Sequence, residues 1–132
     1  MSASERTASL SLTPDAPTKA RRIVESFVQQ LRAEGGVISD YAATGVALLA
    51  SELIADGLAH GSDSATMCIR LGDPHVFQVE MFDGPRRRWI ATTAPDDLSS
   101  TIRTRLLYSL ADNGSSHEIG DGHFAHFEIV DQ

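Results

Sequence analysis

Cysteine and basic residues are scarce in this sequence. Cys68 is the single cysteine among 132 residues, so no disulfide can form within the chain. This cysteine usage is typical of a reducing compartment, and we predict a cytoplasmic location. Only 11 lysines and arginines stand against 18 aspartates and glutamates, which gives a formal net charge of -7. General nucleic-acid binders carry a basic patch or stripe, so we expect no nucleic-acid partner.

Long apolar runs are lacking as well. The first residues have no apolar core of a secretory signal, and no run approaches the roughly 18 residues that a membrane helix needs. We therefore expect no membrane association. The chain has 10 glycines, but none lies within residues 86–109. A glycine-rich phosphate-binding loop is excluded from that stretch.

The remaining pattern predicts one folded domain. The polar start predicts a disordered tail over residues 1–7, and the length of residues 8–132 is sufficient to bury a core. Alternation over residues 8–12 predicts a strand. Apolar side chains at helical spacing predict helices over residues 18–34 and 41–59, the second capped by a serine or an aspartate.

The second half of the chain predicts two hairpins separated by a helix. Residues 65–71 and 77–81 alternate with period two around a Gly-Asp-Pro turn. A helix is predicted over residues 98–111, and a last hairpin joins residues 117–119 to residues 124–130. Ala125, Phe127 and Ile129 form the inward set of its second strand. This order predicts an α+β fold, a two-layer sandwich of a mainly antiparallel sheet with helices on one face.

Candidate functional residues lie on the second predicted helix and at the end of a strand. Glu52, Asp56 and His60 fall on or beside one helix face, next to leucines. A carboxylate at an apolar edge costs free energy unless it has a partner or a task. Asp83 and Gly84 close the second hairpin strand, where an aspartate can accept a hydrogen bond from an exocyclic amine and glycine lets a flat ring approach.

Simpler interpretations remain open for these and other polar residues. Glu52 and Asp56 can be no more than a solvated edge of the helix. His60 can be a helix-end residue that lies near the negative pole of the helix dipole. His123 and His126 fall on opposite faces of their predicted strand, which argues against a shared metal site. Arg86-Arg87-Arg88 is interpreted as an exposed loop, or as a docking patch for an acidic partner.

The sequence resembles a known family over residues 8–130. Residues 51–61, Ser-Glu-Leu-Ile-Ala-Asp-Gly-Leu-Ala-His-Gly, resemble the N-box helix of the histidine-kinase-like, or GHKL, ATPases, where the pattern reads Ser-Glu-Leu-(apolar)-x-Asn-Ala-(apolar)-x-His. Residues 82–84 resemble the adenine-binding box of that family. Residues 106–112 resemble the helix after its ATP lid, and residues 122–128 its last strand. The most similar members are the small anti-sigma-factor serine kinases and their actinobacterial relatives.

The resemblance implies ATP and Mg²⁺ as cofactors and a role for each matching residue. Glu52 stands where the family has the catalytic acid that orients or deprotonates the attacking group in phosphoryl transfer. Asp83 stands where an aspartate receives the adenine amino group, and Gly84 where the chain turns beneath the base. Asp56 replaces the asparagine that helps to hold Mg²⁺, and its carboxylate is still a suitable ligand for both metal and cofactor.

Two departures from the family pattern change the expected activity. Asp56 adds negative charge beside a polyphosphate and lacks an amide donor. Thr101, Ile102 and Arg103 stand at the Gly-x-Gly-Leu phosphate loop, so the backbone amides that face the phosphates are not supplied. The first hypothesis is a regulator on a degenerate GHKL scaffold that binds a sigma factor or an anti-anti-sigma protein. The alternatives are an active serine kinase for an anti-anti-sigma partner and a scaffolding homodimer.

Overall fold

The computed structural model describes residues 5–72, 75–87 and 109–131. Its elements are, in chain order, strand β1 (Glu5–Ser11), helices α1 (Ala16–Ala33) and α2 (Asp40–Ala59), and strands β2 (Ser64–Gly72), β3 (Val76–Gly84), β4 (Asn113–Ile119) and β5 (Gly122–Val130). The strands form one sheet in the order β1-β2-β3-β5-β4, with every neighbouring pair antiparallel. The predicted α+β sandwich is therefore confirmed.

Strand β1 corrects the predicted tail. The strand begins at Glu5, which pairs with Arg70 of β2 in the register of the sheet, so residues 5–7 belong to the fold. Arg70 Nε also donates a hydrogen bond to Glu5 Oε1 at 2.7 Å. An edge strand with one exposed face carries polar residues, and that composition is the reason why the sequence indicated a tail.

The predicted third helix lies mostly outside the described residues, which include only its last part. Ser109 and Leu110 are helical there. Strand β4 then begins at Asn113, before the predicted start at His117. The predicted inward set of β5 is confirmed, since its three members are at most 2% exposed: Ala125, Phe127 and Ile129.

Helix α2 packs beside α1 and over strands β3 and β5. Ser39 caps it, because its Oγ accepts a hydrogen bond from the Ala42 amide at 3.0 Å. With a mean hydropathy of 1.4, α2 is long and apolar enough to cross a membrane, contrary to the prediction that no run approaches that length. Half of this stretch is buried in the fold. Its apolar residues serve two contacts, because α2 packs against both α1 and the sheet.

The core between the helices and the sheet is apolar at its centre and becomes polar at the end of β3. Inward-facing Met67, Val79 and Phe127 are fully buried at the centre of the sheet. Further along, Asp83 is the inward residue of β3 and pairs with Ala65 of β2 and His123 of β5. The end of α2 lies over this edge, so its acids and the acid of β3 are brought together.

Candidate functional site

A buried cluster of polar and charged side chains lies where the end of α2 meets the end of β3. We call it the Arg86 cluster, and its members are Asp56, His60, Ser62, Asp83, Arg86 and His123. Exposure is 9% or less for all of them except His123, which is half-buried. Buried charges are expensive unless they are paired and hydrogen-bonded, so the contacts within the cluster decide what it can do.

Arg86 is the centre of this cluster. Its Nε donates to Asp83 Oδ1 at 2.7 Å and its Nη2 donates to Asp83 Oδ2 at 2.8 Å, a two-pronged pairing of guanidinium and carboxylate. Nη2 also donates to Asp56 Oδ2 at 3.1 Å. Burial alone would lower the pKa of Arg86, but hydrogen bonds and charges of Asp83 and Asp56 raise this pKa above its ordinary value. The guanidinium is therefore fixed in its charged form.

The backbone after β3 directs Arg86 inward. The Arg86 amide donates to the carbonyl of Asp121 at 2.8 Å, and the Arg87 amide donates to the carbonyl of His60 at 3.0 Å. The Arg87 side chain stays outside and pairs with exposed Asp63. Consecutive residues of an extended segment face opposite sides, so the segment buries one arginine and exposes the next.

Asp83 is satisfied by the protein itself. Besides its two bonds from Arg86, its Oδ1 accepts a hydrogen bond from Ser62 Oγ at 2.6 Å. The carboxyl group also lies against the backbone of α2 at Gly57, where an added Cβ would be 2.9 Å from Asp83 Cγ. The gap between helix layer and sheet is thus filled at the position predicted to receive a base.

The histidines occupy the rim of the cluster. His60 Nδ1 lies 2.9 Å from the Asp56 carbonyl oxygen and 3.5 Å from Asp56 Oδ1. His123 Nδ1 lies 3.9 Å from Asp83 Oδ2. Burial lowers the pKa of His123 and the charge of Arg86 lowers it further, while Asp83 and Asp56 oppose this effect. His123 is consequently neutral at pH 7.

The predicted arrangement of the strand histidines is confirmed. His123 belongs to the inward face of β5, whereas His126 lies on the outer face, 4.0 Å from Glu128 Oε2. Within residues 5–72, 75–87 and 109–131, no three histidine, cysteine, aspartate or glutamate side chains are arranged so that they could hold a metal ion together.

The lowered pKa of His123 predicts a pH-dependent stability. Above about pH 6.5, the ordinary pKa of histidine, His123 is neutral in both the folded and the unfolded chain. Below it the unfolded chain binds a proton that the folded chain does not, so the contribution of His123 is lost as the pH falls toward its lower folded pKa. Urea unfolding at a series of pH values should show a shallower loss of stability in His123→Asn than in the wild type. Parallel curves would contradict this assignment.

Not all predicted site residues meet in this cluster. Asp56 and Asp83 share one guanidinium, and Gly84 lies beside Gly122 of the next strand. Glu52 lies one turn before Asp56 on α2 and is half-buried. The residues at the expected phosphate loop fall outside the described residues: Thr101, Ile102 and Arg103.

Arg86 is the member of the cluster that the sequence reasoning misplaced. Predicted to lie in an exposed loop, it is 5% exposed. The signal that was available is the spacing of Asp83 and Arg86, three residues apart across a turn, together with an acid on the neighbouring helix. Arg87 does lie in an exposed position, as predicted.

Comparison with known proteins gives a likeness in structure and none in sequence. No family model matches the chain, and no curated protein matches its sequence. Among solved structures, the chain is similar to the crystal structure of the RsbU and RsbW domains of Rv1364c from Mycobacterium tuberculosis, with a TM-score of 0.72 and 10% sequence identity. The match covers 96% of this chain and 31% of that chain. At this identity the likeness shows the fold alone, an antiparallel sheet with helices packed on one face.

Proposed function

We propose that this protein is a regulator that acts by binding another protein, and that it does so without depending on ATP. The likeness to a structure with an RsbW domain supports a role in a partner-switching pathway. The partner class is that of a sigma factor or an anti-anti-sigma protein, in keeping with the resemblance of residues 51–61 to the N-box helix. The observation that carries the proposal is the internal pairing of Asp83 with Arg86.

The described residues do not fit ATP and Mg²⁺. An adenine amino group would need an oxygen of Asp83, but Arg86 and Ser62 already donate to both oxygens. A Mg²⁺ ion at Asp56 would lie beside the Arg86 guanidinium, whose Nη2 is 3.1 Å from Asp56 Oδ2, so two cations would compete for one carboxylate. We therefore assign the cluster a structural task in the present fold.

Titration with MgATP tests whether the protein binds the nucleotide. A ligand at one hundred times its Kd stabilises a folded protein by about 2.7 kcal/mol, so a binder with a Kd of about 10 μM would raise the Tm clearly at about 1 mM. We expect no rise in Tm and no saturable heat in isothermal titration at that concentration. Binding in the micromolar range would overturn the ATP part of the proposal.

The protein-binding part is tested separately. The purified chain is mixed, without nucleotide, with each candidate sigma factor and anti-anti-sigma protein of its own organism, and complexes are measured by analytical ultracentrifugation. We expect a complex with one of these partners, and the same affinity after MgATP is added. A strict dependence of the complex on MgATP would contradict the proposal.

An active serine kinase is the second candidate. It is favoured by the position of Glu52, which is half-buried one turn from Asp56 on α2, where the resemblance places a catalytic acid. This candidate requires transfer of labelled phosphate from ATP to a serine of the anti-anti-sigma partner, and loss of the transfer in Glu52→Ala. Absence of transfer by the unmutated chain would remove it.

A further inference from the structure

We propose that Arg86 closes the nucleotide site from within the chain, by holding the Asp83 carboxylate in a guanidinium pocket that Asp56 and Ser62 complete. This inference rests on the proposed function, according to which ATP is not bound. It adds that Arg86 is the residue that keeps a nucleotide from the Asp83 carboxylate. A ligand that needs the Asp83 carboxylate must displace Arg86 first. The tests below measure the Arg86 side chain itself, so a failure of this inference can be told apart from a failure of the proposed function.

The chemistry of the pairing favours Arg86 over a base. The guanidinium offers Asp83 two N–H donors in a planar fork, at 2.7 and 2.8 Å from its two oxygens. An amino group of a neutral base offers no charge. Displacement would also leave the Arg86 charge buried without its main partner, and this cost adds to that of breaking the two hydrogen bonds.

The backbone fixes Arg86 in place before any ligand arrives. The amides of Arg86 and Arg87 are bound to the carbonyls of Asp121 and His60, at 2.8 and 3.0 Å. The segment is thus attached both to the turn before β5 and to the end of α2. A group that is held in its bound position loses little conformational freedom on pairing, which makes the intramolecular contact difficult to outcompete.

Two adjacent residues of α2 accommodate this network. Asp56 supplies a carboxylate oxygen to Arg86 Nη2, whereas the N-box pattern has an asparagine there. Gly57 leaves the space in which the Asp83 carboxyl group lies, whereas the pattern has an alanine. These two departures from the N-box pattern, at Asp56 and at Gly57, therefore have one physical explanation, the burial of an ion pair between α2 and β3.

The first test removes the Arg86 side chain and then supplies a free guanidinium ion from solution. Arg86→Ala in the full chain should lower the Tm by about 10 °C, because Asp83 and Asp56 lose the buried cation that both of them contact. Methylguanidinium at ten times its Kd should restore about 4 °C, in a saturable manner. Methylammonium at the same concentration should not, since it lacks the planar fork. Arg87→Ala is the matched control and should show a small loss and no rescue. Equal effects of the two cations on Arg86→Ala would overturn the proposal.

The second test uses the wild-type chain and does not require the variant to fold. In ¹⁵N-arginine NMR spectra, the Nε–H proton of Arg86 should exchange with water at least about 100-fold more slowly than that of Arg87, because only the former is buried in hydrogen bonds. Similar exchange rates would overturn the proposal.

Adenosine tests the closure itself, since it probes the base position without phosphates or Mg²⁺. Arg86→Ala should bind adenosine at least about tenfold more tightly than the wild type, and methylguanidinium should compete. Equal affinities in the two proteins would overturn the closure by Arg86. Binding of MgATP by the wild type, in contrast, would contradict the proposed function.

Discussion

Asp83→Leu should lower the free energy of unfolding by about 3–5 kcal/mol, the usual cost of removing one member of a buried ion pair. Asp83 is 2% exposed and Arg86 is 5% exposed, so water cannot take the place of the lost carboxylate. Ser62 loses its acceptor as well. Arg86→Met should be similarly harmful, because Asp83 then loses both N–H donors of the guanidinium and Asp56 loses its contact with the same cation.

The double variant Asp83→Leu/Arg86→Met separates the ion pair from mere packing. Two apolar side chains of similar volume leave no unpaired charge at Asp83, so the double variant should lose less stability than the sum of the single variants. Urea unfolding of the four proteins at pH 7 should give a coupling free energy of at least about 2 kcal/mol. A coupling near zero would show that Asp83 and Arg86 do not depend on one another.

Arg87→Met provides the control for this cycle. Its side chain is 67% exposed and pairs with Asp63, which is 55% exposed. Exposed pairs contribute about 0–1 kcal/mol, so this variant should remain close to the wild type. The two neighbouring arginines differ in burial and in their carboxylate partners, so the measured difference reports the buried contacts of Arg86.

The local elements of the fold were predictable because their signals are local. Alternation identified β2, β3 and β5, and helical spacing identified α1, since each pattern reflects one buried face. The start of α2 was predicted at a serine or an aspartate, because a capping residue before an apolar helical pattern is a local signal, and the cap is Ser39. The start of β1 was not predictable, because its polar residues form an edge whose pairing with β2 is decided by distant residues.

The candidate site was predictable only in part. Asp56 and Asp83 were both named as candidate site residues, and they lie together because a helix end and a strand end of the two-layer sandwich meet there. The burial of Arg86 was not predictable from its position among three consecutive arginines, which resembles a solvated loop. Its contact with Asp56 spans 30 residues of sequence, and only the tertiary fold brings a second carboxylate to the same guanidinium.

Gly57→Ala should destabilise the protein by about 1–3 kcal/mol, although alanine is the better helix former. The new Cβ would lie 2.9 Å from Asp83 Cγ, closer than Cβ atoms approach in proteins, and 3.0 Å from Asp83 Oδ2, which is tighter than most Cβ contacts. Asp83 cannot move away without losing its bonds to Arg86 and Ser62. Thermal and urea unfolding of the variant measure the loss.

Gly45→Ala is the matched control in the same helix. Among the described residues, its Cβ would meet the end of the Ile129 side chain, at 3.4 Å. This variant should gain about 0.5–1 kcal/mol, because it removes the entropic cost of a glycine within a helix. The two substitutions are chemically identical and lie in one helix. Opposite signs of their changes in unfolding free energy would therefore show that the loss at Gly57 comes from the contact with Asp83. A gain in both would show that the carboxyl group is not held against α2.

Gly57→Ala in an Arg86→Met background tests whether the contact at Gly57 depends on the ion pair of Asp83 and Arg86. Without the guanidinium, Asp83 can rotate away from α2, so an added Cβ at position 57 meets less resistance. Gly57→Ala should therefore cost at least about 1 kcal/mol less in that background than in the wild type. An unchanged cost would mean that the backbone of β3, and not Arg86, presses Asp83 against the helix.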